Sequence, residues 1–248
     1  MPTNLKNEKN FLEGVTHTYA TSENHLGREL KQLAIKTFSP YMSLTGRGLE
    51  FGCSDGYMTS LIAARVRQLT VVDGASAFIE MTKARQLPNV DFECTLFEDF
   101  VSHDKFDYIF ATYVLEHVND AVALLAKART LLSAEGLLFL VVPNARAMSR
   151  QLARHMGLLS GLFELTPNDI NHGHRRVYDR ALLNEHIGAA GLQQVAQGGL
   201  LLKPLADFQM NALIENEVLG RSQLDGLYKM GLEYPDFAGS IFSVCKAV

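Results

Sequence analysis

Asn171-His172-Gly173-His174-Arg175-Arg176-Val177-Tyr178 is the densest polar cluster in the chain. Histidine ionises near neutral pH, so His174 is a candidate general base for a hydroxyl or phenol nucleophile. Arg175 and Arg176 each carry a planar donor fork that grips a carboxylate or phosphate through paired hydrogen bonds. The ring of Tyr178 attracts a cation to its face. The same side chains would equally cap helices and pair with nearby acids, and the segment alone leaves both uses open.

A second set of residues lies upstream. Leu49-Glu50-Phe51-Gly52-Cys53-Ser54-Asp55-Gly56 reads as a strand entering a glycine turn, and Leu69-Thr70-Val71-Val72-Asp73-Gly74 as a second strand ending on an acid. Gly52 and Gly56 permit a tight turn and let a ligand approach the backbone where a Cβ would block it. Asp73 can accept hydrogen bonds from both hydroxyls of a ribose, and Glu50 is a second acceptor in the same crevice. This is the chemistry of an adenosine cofactor. The third glycine of a G-x-G-x-x-G dinucleotide fingerprint is absent, as is a G-x-x-x-x-G-K-[ST] phosphate loop. A glutamate ahead of the turn repels phosphate and suits the ammonium of an amino-acid tail.

Alternating strands and helices must position these groups. Hydrophobic patterning predicts strands at about 47–52, 69–73, 90–93, 106–111, 136–142, 193–202 and 239–246. Helices fit 25–44, 55–66, 75–86, 119–132 and 179–190, with Asp179 as an N-cap and Gly136 and Gly191 as helix stops. This order predicts an α/β fold, a doubly wound and mostly parallel sheet, with ligands bound outside the carboxyl ends of the strands. Residues 1–248 read as a single domain with a polar N-terminal arm over 1–24 and cap insertions over 144–178 and 203–236. The first insertion leaves from the ligand-binding edge. The second is placed to cover the same site or to form a homodimer contact.

Composition narrows the function classes. The chain has 248 residues, 47% of them apolar, and a formal net charge of −4 with scattered basic residues. No nucleic-acid partner is expected without a basic face. Three cysteines, Cys53, Cys94 and Cys245, show no metal spacing and no disulfide framework. The N-terminus is polar and no apolar run reaches membrane-spanning length, so a cytoplasmic protein with no membrane partner is expected.

The first motif resembles the class I S-adenosylmethionine (SAM)-dependent methyltransferases, whose signature is hh[D/E]hGxGxG (h, hydrophobic). Ser54 stands where the middle glycine is common. The resemblance continues through Asp73, Phe106-Asp107-Tyr108-Ile109-Phe110-Ala111, Val114-Leu115-Glu116-His117-Val118 and the strand Gly136–Asn144, covering about residues 45–145 closely. It implies a Rossmann-like sheet of seven strands with the last antiparallel. It implies SAM as cofactor, held by Tyr19, Glu50, Gly52, Ser54, Gly56, Asp73, Gly74, Phe97, Glu98 and Tyr113. The segments Val142-Pro143-Asn144, Gly173–Tyr178 and Leu202-Lys203-Pro204-Leu205 resemble a subgroup associated with sugars and secondary metabolites. That likeness makes His174, Tyr178 and His117 the candidate catalytic residues, with Tyr178 facing the sulfonium, and makes Asn144, Arg175 and Arg176 candidates for binding the acceptor. In ubiquinone-pathway O-methyltransferases a segment similar to Glu116-His117 takes part in metal binding, with another glutamate three residues earlier. Tyr113 stands there in this chain, so no metal is expected.

Methyl transfer to oxygen or nitrogen of a small molecule is the leading expectation. Base methylation in nucleic acid is not expected, because Ala111-Thr112-Tyr113-Val114 replaces the [D/N/S]-P-P-[Y/F] motif. A cyclase that converts SAM to azetidine-2-carboxylate and methylthioadenosine, and a non-catalytic SAM-binding protein, are the alternatives.

Overall fold

The computed structural model describes residues 12, 14, 16 and 25–248. Seven strands form one sheet: β1 (Arg47–Phe51), β2 (Gln68–Asp73), β3 (Val90–Cys94), β4 (Phe106–Thr112), β5 (Leu132–Pro143), β6 (Leu192–Leu202) and β7 (Ala238–Ala247). Their order is β3-β2-β1-β4-β5-β7-β6. The first five strands run parallel, and β7 is antiparallel to both β5 and β6. The central strands are apolar almost without alternation because both faces of the sheet are covered. Leu49 and Phe51 of β1 and Ile109 and Phe110 of β4 are all fully buried.

The helices divide between the two faces. On one face α1 (His25–Phe38) turns Leu26, Leu33, Ala34 and Phe38 inward, and the Phe38 ring meets Phe139 and Phe242 at 4.8 and 6.1 Å. It shares that face with α2 (Tyr57–Ala63) and α3 (Ser76–Lys83), whose Ile62 and Ile79 join the same core. On the other, α4 (Ala121–Leu131) packs Leu124 and Leu125 into the second core. The strand order reverses between β1 and β4, which opens a crevice at their carboxyl ends.

The two insertions differ in what they cover. Residues 144–178 carry α5 (Met148–His155) and α6 (Pro167–Asn171), and lead to α7 (Arg180–Ala189), capped by Asp179 as expected through a 2.9 Å bond from the Leu182 N–H. Residues 203–236 carry α8 (Asp207–Glu215) and α9 (Arg221–Glu233), whose Met210, Leu224 and Tyr228 join the core beside Leu200 and Leu201. This second insertion is therefore mainly a helical layer on the sheet.

Two boundaries depart from expectation. The first helix ends at Phe38, and Pro40 turns the chain into a short 3-10 segment, Ser39–Tyr41. Gly136 does not stop α4, which ends at Leu131 and passes directly into β5. Gly136 lies inside that strand, where a Cβ would meet the Phe106 carbonyl oxygen at 2.8 Å. Close backbone approach at the β4–β5 register shift, not helix termination, explains this glycine.

Candidate functional site

The crevice is a cleft of about 390 Å³, within the range of small-molecule sites. Gly52, with φ +78°, ends β1 and donates its N–H to Val72 at 2.8 Å; a Cβ there would meet Val114 at 3.1 Å. Ser54 also takes a left-handed conformation, φ +48°, so the backbone keeps the path a glycine would take. Gly56, φ +74°, starts α2, and a Cβ on it would strike Thr82 at 2.8 Å. Asp73 is fixed by two backbone donors: Cys53 N–H to Oδ2 and Ala75 N–H to Oδ1, both 2.9 Å. Burial raises its pKa although these N–H groups favour the charged form. Gly52, Ser54, Asp73, Gly74, Phe97 and Glu98 all line this end of the cleft.

The other end is built around the loop after β4. Tyr113 lines the cleft with φ +58° and places its hydroxyl 3.0 Å from Ser240 Oγ. Burial holds its phenol well above the ordinary range. Glu116 is 1% exposed, and neither carboxyl oxygen has a hydrogen-bond partner among the described residues. Burial pushes its pKa up to about 7, against the opposing pull of His174. Burial, reinforced by His174, drops His117 to about 3, so its imidazole is neutral. The His117 and His174 rings meet edge-on at 4.7 Å.

His174 Nδ1 lies 3.2 Å from Asp169 Oδ1. Burial opposes its protonation, but Asp169 and Glu116 outweigh burial and the net pKa is raised. Asp169 is itself held in place. It receives the Thr166 N–H at 2.8 Å and hydroxyl at 2.7 Å in a capping box, and Arg150 lies 3.1 Å away. Despite the cost of burial, His174 and Thr166 keep Asp169 below the usual carboxylate range. Glu116, His117 and His174 each bring a ligand atom within 4.8 Å of the others, a donor set suited to a divalent cation.

The profile of the methyltransferase domain family matches residues 23–197, well over half of the chain. The chain belongs to the class I SAM-dependent methyltransferases. It is 26% identical over 164 residues to a ubiquinone biosynthesis O-methyltransferase of Rhodopseudomonas palustris (strain BisB5), covering 65% of this chain and 64% of that protein. The chain thus spans just under two thirds of that relative's length. The fold is also that of the N-methyltransferase NodS from Bradyrhizobium japonicum WM9 solved with S-adenosylhomocysteine (TM-score 0.62, 14% identity, 96% of this chain and 98% of that one). A DhpI–S-adenosylhomocysteine complex matches with TM-score 0.62 and 14% identity over 98% of this chain and 96% of that one.

SAM is the cofactor of this methyltransferase, and the residues present suit it. A Cβ on Gly74 would meet Leu12 at 2.7 Å and Leu96 at 2.9 Å, so these leucines pack closely on the backbone beside Asp73. Glu50 departs from its expected place. It is fully buried and does not line the cleft, and burial pushes its carboxyl up to about 8. Gly56 likewise shapes the turn without lining the cleft. Tyr19 lies outside the described residues.

Several residues of the polar cluster serve the scaffold of the methyltransferase instead. Tyr178 is fully buried and does not face the cleft; its hydroxyl lies 3.1 Å from His186 Nδ1. Arg175 donates its Nε–H to the His117 carbonyl at 2.6 Å, and its backbone N–H to Glu116 at 2.8 Å. Arg176 reaches the carbonyls of Leu115 (2.7 Å) and Asn119 (2.8 Å). Neither arginine lines the cleft, so the expected substrate fork is a clamp that holds the Glu116–His117 loop. Asn144 is also buried, donating to Ala238 O at 2.8 Å and accepting from the Arg146 N–H at 2.9 Å.

Other cleft residues escaped sequence reasoning. Lys203 and Asp207, an ion pair, line the cleft with Asn168, His172, Ser240 and Leu12. Asp169 was legible only as a capping box, Thr166-Pro167-Asn168-Asp169, with no sign that its carboxylate would back a histidine.

Proposed function

We propose that this methyltransferase moves the sulfonium methyl of SAM to an oxygen of a small-molecule acceptor, with His174 as general base. The observation that carries this reading is the Asp169–His174–Glu116 arrangement at the end of the cleft away from Asp73. SAM is already an activated electrophile, so the protein's main task is to align the acceptor oxygen with the methyl carbon. His174 takes the acceptor proton as the O–CH3 bond forms and the S–CH3 bond breaks, leaving S-adenosylhomocysteine. Asp169, 3.2 Å from Nδ1, and Glu116 stabilise the imidazolium by their charge. The O-methyltransferase relative supports oxygen over nitrogen as the acceptor atom. Sugars and secondary metabolites are the acceptor classes to try first, in a cytoplasmic setting.

A second reading rests on the unpartnered Glu116 oxygens. Glu116, His117 and His174 would hold a divalent cation, which when bound would polarise the acceptor oxygen. Tyr113 is committed to Ser240 and adds no carboxylate. Incubation with methyl-labelled SAM and an acceptor panel, with and without chelator, tests both readings. Label transferred equally in both conditions supports the base. Transfer abolished by chelator and restored by a cation that imidazole and carboxylate ligands suit, such as Zn²⁺, supports the cation. Release of methylthioadenosine without acceptor would overturn both.

A further inference from the structure

Helix α5 is oriented the wrong way for a helix of a water-facing cap. A surface helix normally turns its apolar stripe to the core and its charges to water. In α5, Met148 and Leu152 lie one turn apart and are 37% and 42% exposed, and Met156, one turn further on, is 63% exposed. Arg150, on the opposite side, is drawn inward, with its side chain 14% exposed against Asp169 and its Nε–H donating to Leu162 O at 3.1 Å. No residue of α5 is buried. The apolar run continues past the helix through Leu158 (68% exposed) and Phe163 (50%) to Ile170 (60%).

The exposed charge over residues 146–163 is basic. Residues 144–163 contain no acid, whereas Arg146, Arg154 and His155 are exposed among the apolar side chains. The first acid, Glu164, is an exposed carboxylate beyond this stretch, and the Ser160 hydroxyl that donates to it at 2.6 Å holds its pKa below the usual range. The surface also borders the cleft. The Ser149 N–H of α5 donates to the carbonyl of Lys203, a cleft residue, at 3.0 Å. Ile170 lies between Asn168 and His172, which both line the cleft.

We propose that this segment, residues 146–170, is a peripheral docking surface for a bilayer containing anionic phospholipid. Leucine, methionine and phenylalanine side chains enter the acyl boundary, while arginine and histidine meet the headgroups. No described helix is long and apolar enough to cross a membrane, so the contact lies along the surface. This departs from the expectation of no membrane partner, which rested on the polar N-terminus and the lack of a spanning apolar run.

The test is flotation of the full chain with phosphatidylcholine vesicles, with and without phosphatidylglycerol. The expected result is co-flotation with the phosphatidylglycerol vesicles alone, weakened by added salt. Arg154→Ala should weaken partitioning about fivefold. Leu158→Ser and Phe163→Ser should each weaken it roughly tenfold. Unchanged SAM affinity by calorimetry would show that these variants remain folded. Absence of flotation, equal flotation with neutral vesicles, or variants that float like the parent would overturn the proposal. So would a dimer in sedimentation velocity that Leu158→Ser dissolves, because the surface would then belong to a second copy.

Discussion

At the cofactor end of the cleft, Gly52, Ser54, Asp73 and Gly74 come from two successive strand–loop connections. At the proposed acceptor end, Glu116 and His117 come from the loop after β4, and Asp169 and His174 from the helical insertion after β5. The cofactor end is held largely by backbone: N–H groups fix Asp73, and left-handed residues shape the turn. The acceptor end is held by side chains, with the Arg175 and Arg176 clamp on one side and the Thr166–Asp169 box on the other. A backbone-held site accepts one ligand shape and tolerates sequence drift around it. A side-chain-held site changes its chemistry with each substitution, which suits a family sharing one cofactor among many acceptors.

The contrast makes separable predictions. His174→Ala should lower turnover by roughly 10²- to 10⁴-fold, the range for loss of a general base. SAM affinity by calorimetry should stay unchanged, and equal turnover would remove His174 from the chemistry. Asp73→Ala should do the reverse, weakening SAM binding by about 1–3 kcal/mol through lost charge-assisted hydrogen bonds. Unaltered affinity there would show that the ribose lies elsewhere.

Glu50→Gln probes the layer beneath the cofactor end. A buried carboxyl raised to about 8 from 4.5 binds its proton more tightly in the folded chain than in the unfolded one. Stability of the cofactor-free protein should therefore fall as pH rises through that window and level off above it. The glutamine variant should lose this slope in thermal melts followed from acid to alkaline pH. A parent protein with no such slope would contradict the buried, protonated state of Glu50. The smallest effect is expected from Tyr178→Phe. Loss of the contact with His186 should cost about 1 kcal/mol in denaturant unfolding, with turnover unchanged. A large drop in turnover would bring Tyr178 back into the site.

Legibility in the sequence followed the same division. The strand–turn–helix at Gly52–Gly56 and the acid at Asp73 were readable because residues adjacent in the chain make that geometry. The seven strands followed from hydrophobic runs and turn residues, whereas the antiparallel last strand was implied by the resemblance to the methyltransferases. Gly136 misled because a glycine that lets two backbones approach looks, in one dimension, like a glycine that ends a helix. The cluster at Asn171–Tyr178 was recognised as important, yet its members divide: His174 faces the cleft, while Arg175, Arg176 and Tyr178 hold the scaffold. Residue type shows what a side chain can do, but not which way it points.

The sequence by itself determined the adenosine-binding turn, the strands of the sheet and the end of the sheet where ligands bind, because these rest on local backbone conformation and on periodicity along the chain; SAM in particular came from the family resemblance. Only the tertiary structure decided that Asp169 lies against His174, that Glu116 is buried beside them with no hydrogen-bond partner among the described residues, and that α5 turns its apolar stripe to solvent. Those facts depend on distances between segments far apart in the chain and on how much water each group keeps, and burial of that kind is a property of the packed whole.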